Sequence, residues 1–323
     1  SKEFRPMGAS TNVTTVLYGT PWDGESLLEE QKELNLELER RDGLRRHFRF
    51  DWQEVARFNP RYETYALGER ERLGEDHPLF RSQYLLLPLP GRGGLLSAQQ
   101  QAQLQGSHSR RSFPQRGGVY VAGLDLAGGG EEGSNSSQDA TVLTIGELDF
   151  SSCDELLPEP TIRVVEHYRW VGLPHDQLYP RLLDILRQVW GCRRVVVDAT
   201  GLGAGVASFL ARALGRAVVE PFTFTAQSKS RLGFDLIAAV NVGRLKMYGA
   251  DGSEEYQGFW RELGRAKAQY RPNRTLNFFV DPAEGHDDYL MSLALLVQAG
   301  RYVPRVARGR AGGEAVAGAP AGR

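Results

Sequence analysis

Three aspartates stand where a chain could hold metal ions. Asp125 ends the run Val119-Tyr120-Val121-Ala122-Gly123-Leu124-Asp125-Leu126-Ala127, and Asp198 ends Arg194-Val195-Val196-Val197-Asp198. Asp287 stands beside Asp288 after His286, at the head of the apolar stretch Tyr289–Val297. A carboxylate at the end of a buried strand is costly unless something pairs with it, and a divalent cation is one such partner. Two Mg²⁺ or Mn²⁺ ions, about 3.5–4 Å apart, need several carboxylates around them, and such a pair serves in-line hydrolysis of a phosphodiester. Hard oxygen ligands suit those ions and leave positions for water and phosphate.

Each aspartate also has a plainer role. Asp125 could close a turn, Asp198 could hold the Thr200–Gly203 loop, and Asp287 could cap its helix. Three of them at element ends, in this order, favour the metal site, with Asp125, Asp198 and Asp287 catalytic and Asp288 a further ligand. Whether Asp287 or Asp288 is the main ligand stays open. Asp139 reads as a loop-closing residue or a minor ligand. Glu166 lies within a strand whose alternation does not fix its face. His286 could polarise water or be an ordinary surface histidine. Gly201-Leu202-Gly203-Ala204-Gly205-Val206 follows a strand, but the dinucleotide template G-x-G-x-x-G fails at Val206. Its glycines read better as room for helix packing and for approach to Asp198. Lys229 and Arg231 at a helix start, and Arg271 and Arg274 on a loop, could contact phosphates or simply be solvated.

The elements that would position these residues follow from periodicity. From Val119 on, the pattern gives a long-looped hairpin (119–126 and 139–149) and a third strand (162–170). A helix over 174–190, the strand to Asp198, a helix over 204–214 and a strand at 218–222 follow. Helices over 228–242 and near 254–263 and a last helix from 286 complete it. A hairpin first and alternating helices and strands later predict an α/β mixed sheet flanked by helices. Upstream, residues 13–22 read as a strand ending in a Gly-Thr-Pro turn, 25–41 as a helix and 45–50 as a strand. Asp51–Glu54 carries the spacing of a capping box, and 60–73 is a helix. Those elements are too few for a complete α/β domain, so 1–97 reads as the end of one. The Gln-, Ser- and Gly-containing stretch 98–118 reads as a solvated hinge, in preference to a role for Arg110, Arg111 and Arg116 on phosphate. Residues 119–304 form the main domain, and 305–323, rich in Gly, Ala and Arg, a disordered tail.

Bulk properties narrow the classes. The 323 residues are 41% hydrophobic and 24% charged, with a net charge of −1, which suits a core-forming chain but does not announce a nucleic-acid binder. Cys153 and Cys192 form no framework, as in a reducing compartment. No apolar run reaches the ~18 residues of a membrane span, and the first residues lack a signal-peptide core. A cytoplasmic chain without membrane contact is expected. None of the lysines (Lys2, Lys32, Lys229, Lys246, Lys267) follows a glycine, so the phosphate-gripping loop G-x-x-x-x-G-K-[ST] is absent.

These motifs together resemble the large terminase subunit of tailed bacteriophages. Gly123-Leu124-Asp125-Leu126-Ala127, Val197-Asp198-Ala199-Thr200-Gly201 and His286-Asp287-Asp288 are similar to the three acidic motifs of its nuclease domain. Val16-Leu17-Tyr18-Gly19-Thr20-Pro21-Trp22 resembles the coupling motif late in its ATPase domain, and Pro78–Tyr84 the segment that closes that domain. The resemblance implies a ribonuclease H-like nuclease domain preceded by the last part of an ATPase domain. It also implies a metal-dependent endonuclease that cuts concatemeric viral DNA. Its partners would be double-stranded DNA, the small terminase subunit and the portal protein, in the cytoplasm of an infected or lysogenic bacterium. ATP is not expected to act on this chain alone, because the Walker motifs are missing; it reads as a fragment or a natural truncation. A junction resolvase of the same fold and a non-catalytic motor or portal docking module are the rival readings, with a dinucleotide-binding oxidoreductase behind them.

Overall fold

The computed structural model describes residues 14–22, 27–89, 92–127, 140–153 and 158–301. Asp139, the Gly-rich loop before it and the 305–323 tail lie outside them.

The central sheet forms where β-branched and apolar runs predict it. Its strands are β2 (Tyr120–Asp125), β3 (Ala140–Asp149), β4 (Thr161–Val171), β5 (Arg194–Asp198), β6 (Val219–Phe222) and β7 (Leu245–Lys246), after a short β1 (Arg92–Gly94) that belongs elsewhere. The order across the sheet is β6-β5-β2-β3-β4-β7. The β2/β3 and β3/β4 pairs are antiparallel, whereas β5 and β6 continue parallel to β2, and β7 lies parallel to β4. All six residues of β2 are buried, as expected of a strand covered on both faces.

Ten α-helices are described: α1 (Leu27–Asp42), α2 (Trp52–Ala56), α3 (Pro60–Leu73), α4 (Pro78–Gln83), α5 (Ala98–Leu104), α6 (His175–Leu183), α7 (Gly203–Leu214), α8 (Ala226–Asn241), α9 (Glu254–Arg265) and α10 (Asp288–Gly300). One face of the sheet packs Ala122, Leu124, Ile145 and Val197 against α6, a π-helical turn at Asp184–Val189 and α7. The other packs Val121, Val142 and Val196 against α8, α9 and α10. The last helix crosses the sheet at close range because β2 carries Gly123. A Cβ there would overlap Ser292 O and Leu296 N of α10. Thr144 Oγ1 and Ser292 Oγ share a fully buried hydrogen bond of 2.7 Å, which fixes the helix against β3.

Several expectations are corrected. Residues 14–22 are not a strand: no partner strand lies beside them among the described residues, and Tyr18 is 91% exposed. Residues 45–50 are likewise not a strand. The hinge expected over 98–118 is built into the fold. Ser97 and Gln100 form the capping box of α5, Leu104 is fully buried, and Gln100 and Gln103 bond to Asn241 at the end of α8. Beyond α5, Arg111 pairs with Glu147 at 2.7 Å, and Arg110 is held by Glu166, Asp251 and Glu255. A composition that suits a solvated linker is overridden here by long-range partners.

Residues upstream of 98 join the same body. β1 is the edge of a three-stranded antiparallel sheet with β8 (Lys267–Tyr270) and β9 (Leu276–Phe279). Trp22 is buried and donates Nε1–H to Arg271 O at 2.8 Å. Helices α2, α3 and α4 share a small core with Ala238 of α8. There His77 accepts Leu79 N–H on Nδ1 (3.1 Å), while its Nε2 lies 3.0 Å from Phe234 O.

Candidate metal centre

Parallel pairing aligns two of the aspartates. Leu124 of β2 stands opposite Val197 of β5, so the next residue on each strand is Asp125 and Asp198, side by side at the carboxyl ends. Side chains two apart share a face of a strand. Asp125 therefore points to the face of Gly123, where α10 lies, and Asp198 to that of Val196. Helix α10 enters at this end and brings Asp287 and Asp288. A pocket of about 470 Å³ is lined by Asp125, Asp198, His286, Asp287, Asp288 and Lys229, with Phe224, Phe279 and Met291 among its apolar walls. Such crevices at strand carboxyl ends, beside a change of strand direction, are where open α/β sheets bind ligands.

The loop after Asp198 is folded to keep that strand end open. Asp198 Oδ1 accepts Thr200 N–H at 2.8 Å, so the plainer role weighed for it is filled by one of its oxygens. Gly201 has a φ of +57°, and a Cβ on Gly203 would overlap Asp198 O. These glycines serve turn and packing geometry. Asp288 is buried and accepts Ala140 N–H through Oδ2 at 3.2 Å, which ties the head of α10 to the start of β3. Asp287 occupies the cap position of α10 but makes no side-chain capping bond.

Electrostatics mark this as a strained cluster of like charges. Burial, and then the charges of Asp288, Asp198, Asp287 and Glu262, push the Asp125 carboxyl well above the usual carboxylate range. Burial likewise raises Asp287, against the opposing pull of the Lys229 ammonium. Glu262 of α9 is raised to about 8 by burial and the Asp288 charge, against the Tyr289 and Leu290 amides. Lys229, half-buried at the first turn of α8, is lowered by burial, while Asp287 and Asp125 favour its charge. Its Nζ stands 5.4 Å from the centre of the Phe278 ring.

Among the described residues, no three His, Cys, Asp or Glu side chains are gathered tightly enough to hold an ion as they stand. The donor set nonetheless fits hard divalent ions: four carboxylates line one pocket, and burial together with the charges of Asp288, Asp198 and Asp287 raises Asp125, a cost that a cation relieves. Rotation about the side-chain torsions moves a carboxylate toward a shared ion without moving backbone.

The basic residues separate. Lys229 lines the pocket, but Arg231, Arg271 and Arg274 do not. Arg231 is exposed, and Arg274 sits with a φ of +62° in the turn between β8 and β9. Residues two apart on a helix do not share a face, so Lys229 and Arg231 had to part. Glu166 lies away from the pocket, paired with Arg110. Glu262 was missed, although an acid beside Phe259 and Leu263 on the buried side of an amphipathic helix is a signal that could have found it.

Comparison of the sequence with family models gives no match, and comparison with curated proteins gives none. Solved structures do match. The large terminase of a thermophilic bacteriophage, in complex with ADP, matches with a TM-score of 0.52 at 12% identity, over 86% of this chain and 60% of that one. This chain thus spans about 60% of that protein's length. The large terminase nuclease of thermophilic phage G20c with bound magnesium matches at 0.48 and 19% identity, over 64% of this chain and 96% of that one. The HK97 bacteriophage large terminase matches at 0.43 and 12%, over 86% and 61%. The shared property is the fold. It is the mixed sheet flanked by helices that the sequence predicts, in the ribonuclease H-like form that the resemblance implies. No helix among the described residues is long and apolar enough to cross a membrane.

Proposed function

We propose that this chain is the nuclease part of a phage DNA-packaging terminase, a divalent-metal endonuclease that cuts concatemeric double-stranded DNA. The observation that carries the reading is the meeting of Asp125, Asp198, Asp287 and Asp288 in one pocket, at the aligned ends of two parallel strands and the head of α10. The likeness in fold to a phage large terminase, and the three acidic motifs in their order, support it. Two Mg²⁺ or Mn²⁺ ions, when bound, would supply an activated water and charge stabilisation at the leaving oxygen.

The chain's own residues would do the rest. Asp125 and Asp198, fixed by backbone pairing, would hold the ions from the sheet side, and Asp287 and Asp288 from the helix side. Lys229, the cation in the pocket, would face the scissile phosphate and offset the charge that builds on it. Arg231, Arg271 and Arg274 remain candidates for phosphate contacts along the duplex outside the pocket. The small terminase subunit and the portal protein would be its partners, in the cytoplasm of the host bacterium. ATP hydrolysis is not proposed for this chain.

A plasmid-nicking assay with Mn²⁺, Mg²⁺ or EDTA, run beside Asp198→Asn, tests the reading. Metal-dependent nicking that the variant loses supports it. A folded wild-type chain that cuts nothing with either metal, or a variant that cuts as fast as wild type, rejects it. Preference for branched over linear DNA would favour the junction-resolvase rival. One observation speaks for a docking role besides cleavage: Tyr18, Phe48, Phe50 and Phe58 are exposed in the upstream region, Phe58 at 87%. Exposed apolar side chains of that kind suit a protein partner.

A further inference from the structure

The head of α10 has to do two things at once. Its first amides need acceptors, as at every helix start, and its first two carboxylates line the pocket. A short polar side chain at the cap position commonly meets the first need. Here Asp287 holds that position and makes no side-chain capping bond. The acceptor comes instead from another helix: Glu262 of α9 places Oε2 2.8 Å from Tyr289 N and 3.3 Å from Leu290 N. Glu262 is not among the pocket-lining residues.

From this division we infer that Glu262 is a positioning residue of the metal centre. It caps α10 from α9, and so leaves Asp287 and Asp288 turned to the pocket. The inference rests on the metal-nuclease reading above. The surroundings make the arrangement specific. Phe259 and Leu263, on either side of Glu262 along α9, are buried in the core that also holds Tyr289 and Leu290. Tyr289 packs edge-on against His167, whose ring also meets Phe259. The carboxylate of Glu262 is thus delivered to the Tyr289 amide by a rigid contact between two helices. Asp288, on the other side, is tied to Ala140 N. Losing the Glu262 acceptor leaves the first turn of α10 short of a partner and lets the Asp287 carboxylate turn back to cap its own helix. The pocket then loses a ligand while the sheet stays intact.

The test compares wild type, Asp198→Asn, Glu262→Ala and Glu262→Gln. Two readouts are taken: Mn²⁺ binding to the protein without DNA, followed by the electron paramagnetic resonance of free Mn²⁺, and nicking rate against Mn²⁺ concentration. Residues that orient metal ligands typically change metal affinity about 10–100-fold when removed. Glu262→Ala is expected to weaken Mn²⁺ binding by a factor in that range, and to raise the Mn²⁺ needed for half-maximal nicking in step. Glu262→Gln keeps an amide oxygen that can accept the two N–H groups, and should stay within about threefold of wild type, well short of that loss. If Glu262→Ala binds Mn²⁺ and cuts as wild type does, the positioning role is wrong. If Glu262→Gln folds but binds as poorly as Glu262→Ala, the charge itself is needed, and Glu262 is a ligand rather than a cap. If Glu262→Ala does not fold, the start of α10 needs the Glu262 acceptor, and the glutamine variant then separates a cap, whose bonds it keeps, from a ligand, whose charge it loses. The metal reading fails separately, when wild type binds no Mn²⁺ or Asp198→Asn binds and cuts as wild type does.

Discussion

Gly123→Ala probes the close approach that brings the helix-borne and sheet-borne carboxylates together. A Cβ at this position would overlap Ser292 O and Leu296 N and come within 2.9 Å of the Leu295 carbonyl carbon, where an unstrained carbon pair needs about 3.5 Å. All three atoms are backbone of α10, so no side-chain rotation relieves the clash. The helix must lift off β2. Overpacking of this kind costs about 1–3 kcal/mol, and a purely backbone clash belongs at the upper end. Removing a strand glycine returns about 0.5–1 kcal/mol, which leaves a net loss of about 2 kcal/mol. For a chain of 323 residues that lowers Tm by roughly 3 °C. The same shift carries Asp287 and Asp288 away from Asp125, and a misplacement of about 1 Å at a reacting centre costs on the order of 100-fold in rate. Thermal unfolding in EDTA and the initial nicking rate with Mn²⁺ give the two numbers. Gly68→Ala in α3 is the control, because nothing lies within 4 Å of the added Cβ, and it should be neutral or stabilising by about 0.5–1 kcal/mol. A Gly123→Ala protein whose Tm stays within about 1 °C of wild type, with full nicking, would refute the packing argument.

Arg110→Leu should destabilise the fold by between about 1 and 4 kcal/mol, because it leaves the buried Glu166 carboxylate without its partner. Denaturant unfolding measures that loss, and a drop in DNA affinity with unchanged stability would instead revive a phosphate role. His77 is held neutral by burial, its pKa lowered to about 4 from 6.5, with its Nδ1 already accepting from Leu79 N–H. Between those values the unfolded chain binds a proton that the folded one does not. Stability therefore falls as pH drops from about 6.5 to about 4, by at most about 1.4 kcal/mol per pH unit for this group. His77→Asn should flatten that part of the unfolding profile, and an unchanged slope would assign it elsewhere. Ser292→Ala leaves the buried Thr144 hydroxyl without its partner and should cost about 1–3 kcal/mol. A double-mutant cycle with Thr144→Val should recover much of that as coupling, and additive losses would mean that the bond contributes nothing.

Much of the central sheet was legible in the chain because its signals are local. Val195-Val196-Val197 can only be a buried strand, and Asp198 ends it at the residue where the pattern breaks. Asn59-Pro60 starts α3 where a capping side chain and a fixed φ predict it. The spacing of strand ends and helix start likewise raised Asp125, Asp198, Asp287 and Asp288 together. Sequence could not settle what depends on distant partners. Residues 98–111 have the composition of a linker, yet Asn241, Glu147 and Glu166 draw them into the body of the fold. Trp22 finds its acceptor 249 residues away, at Arg271. Lys229 and Arg231 read alike until the packing of α8 sends one into the pocket and the other to solvent. The helical pattern of α9 places Glu262 toward its buried side, but its partners Tyr289 and Leu290 follow only from the packing of α9 against α10. Periodicity and caps are written over a few residues and so can be read from them. Hydrogen bonds and charge pairs between distant segments form only after the chain has closed its loops, and those contacts decide which carboxylates share a pocket.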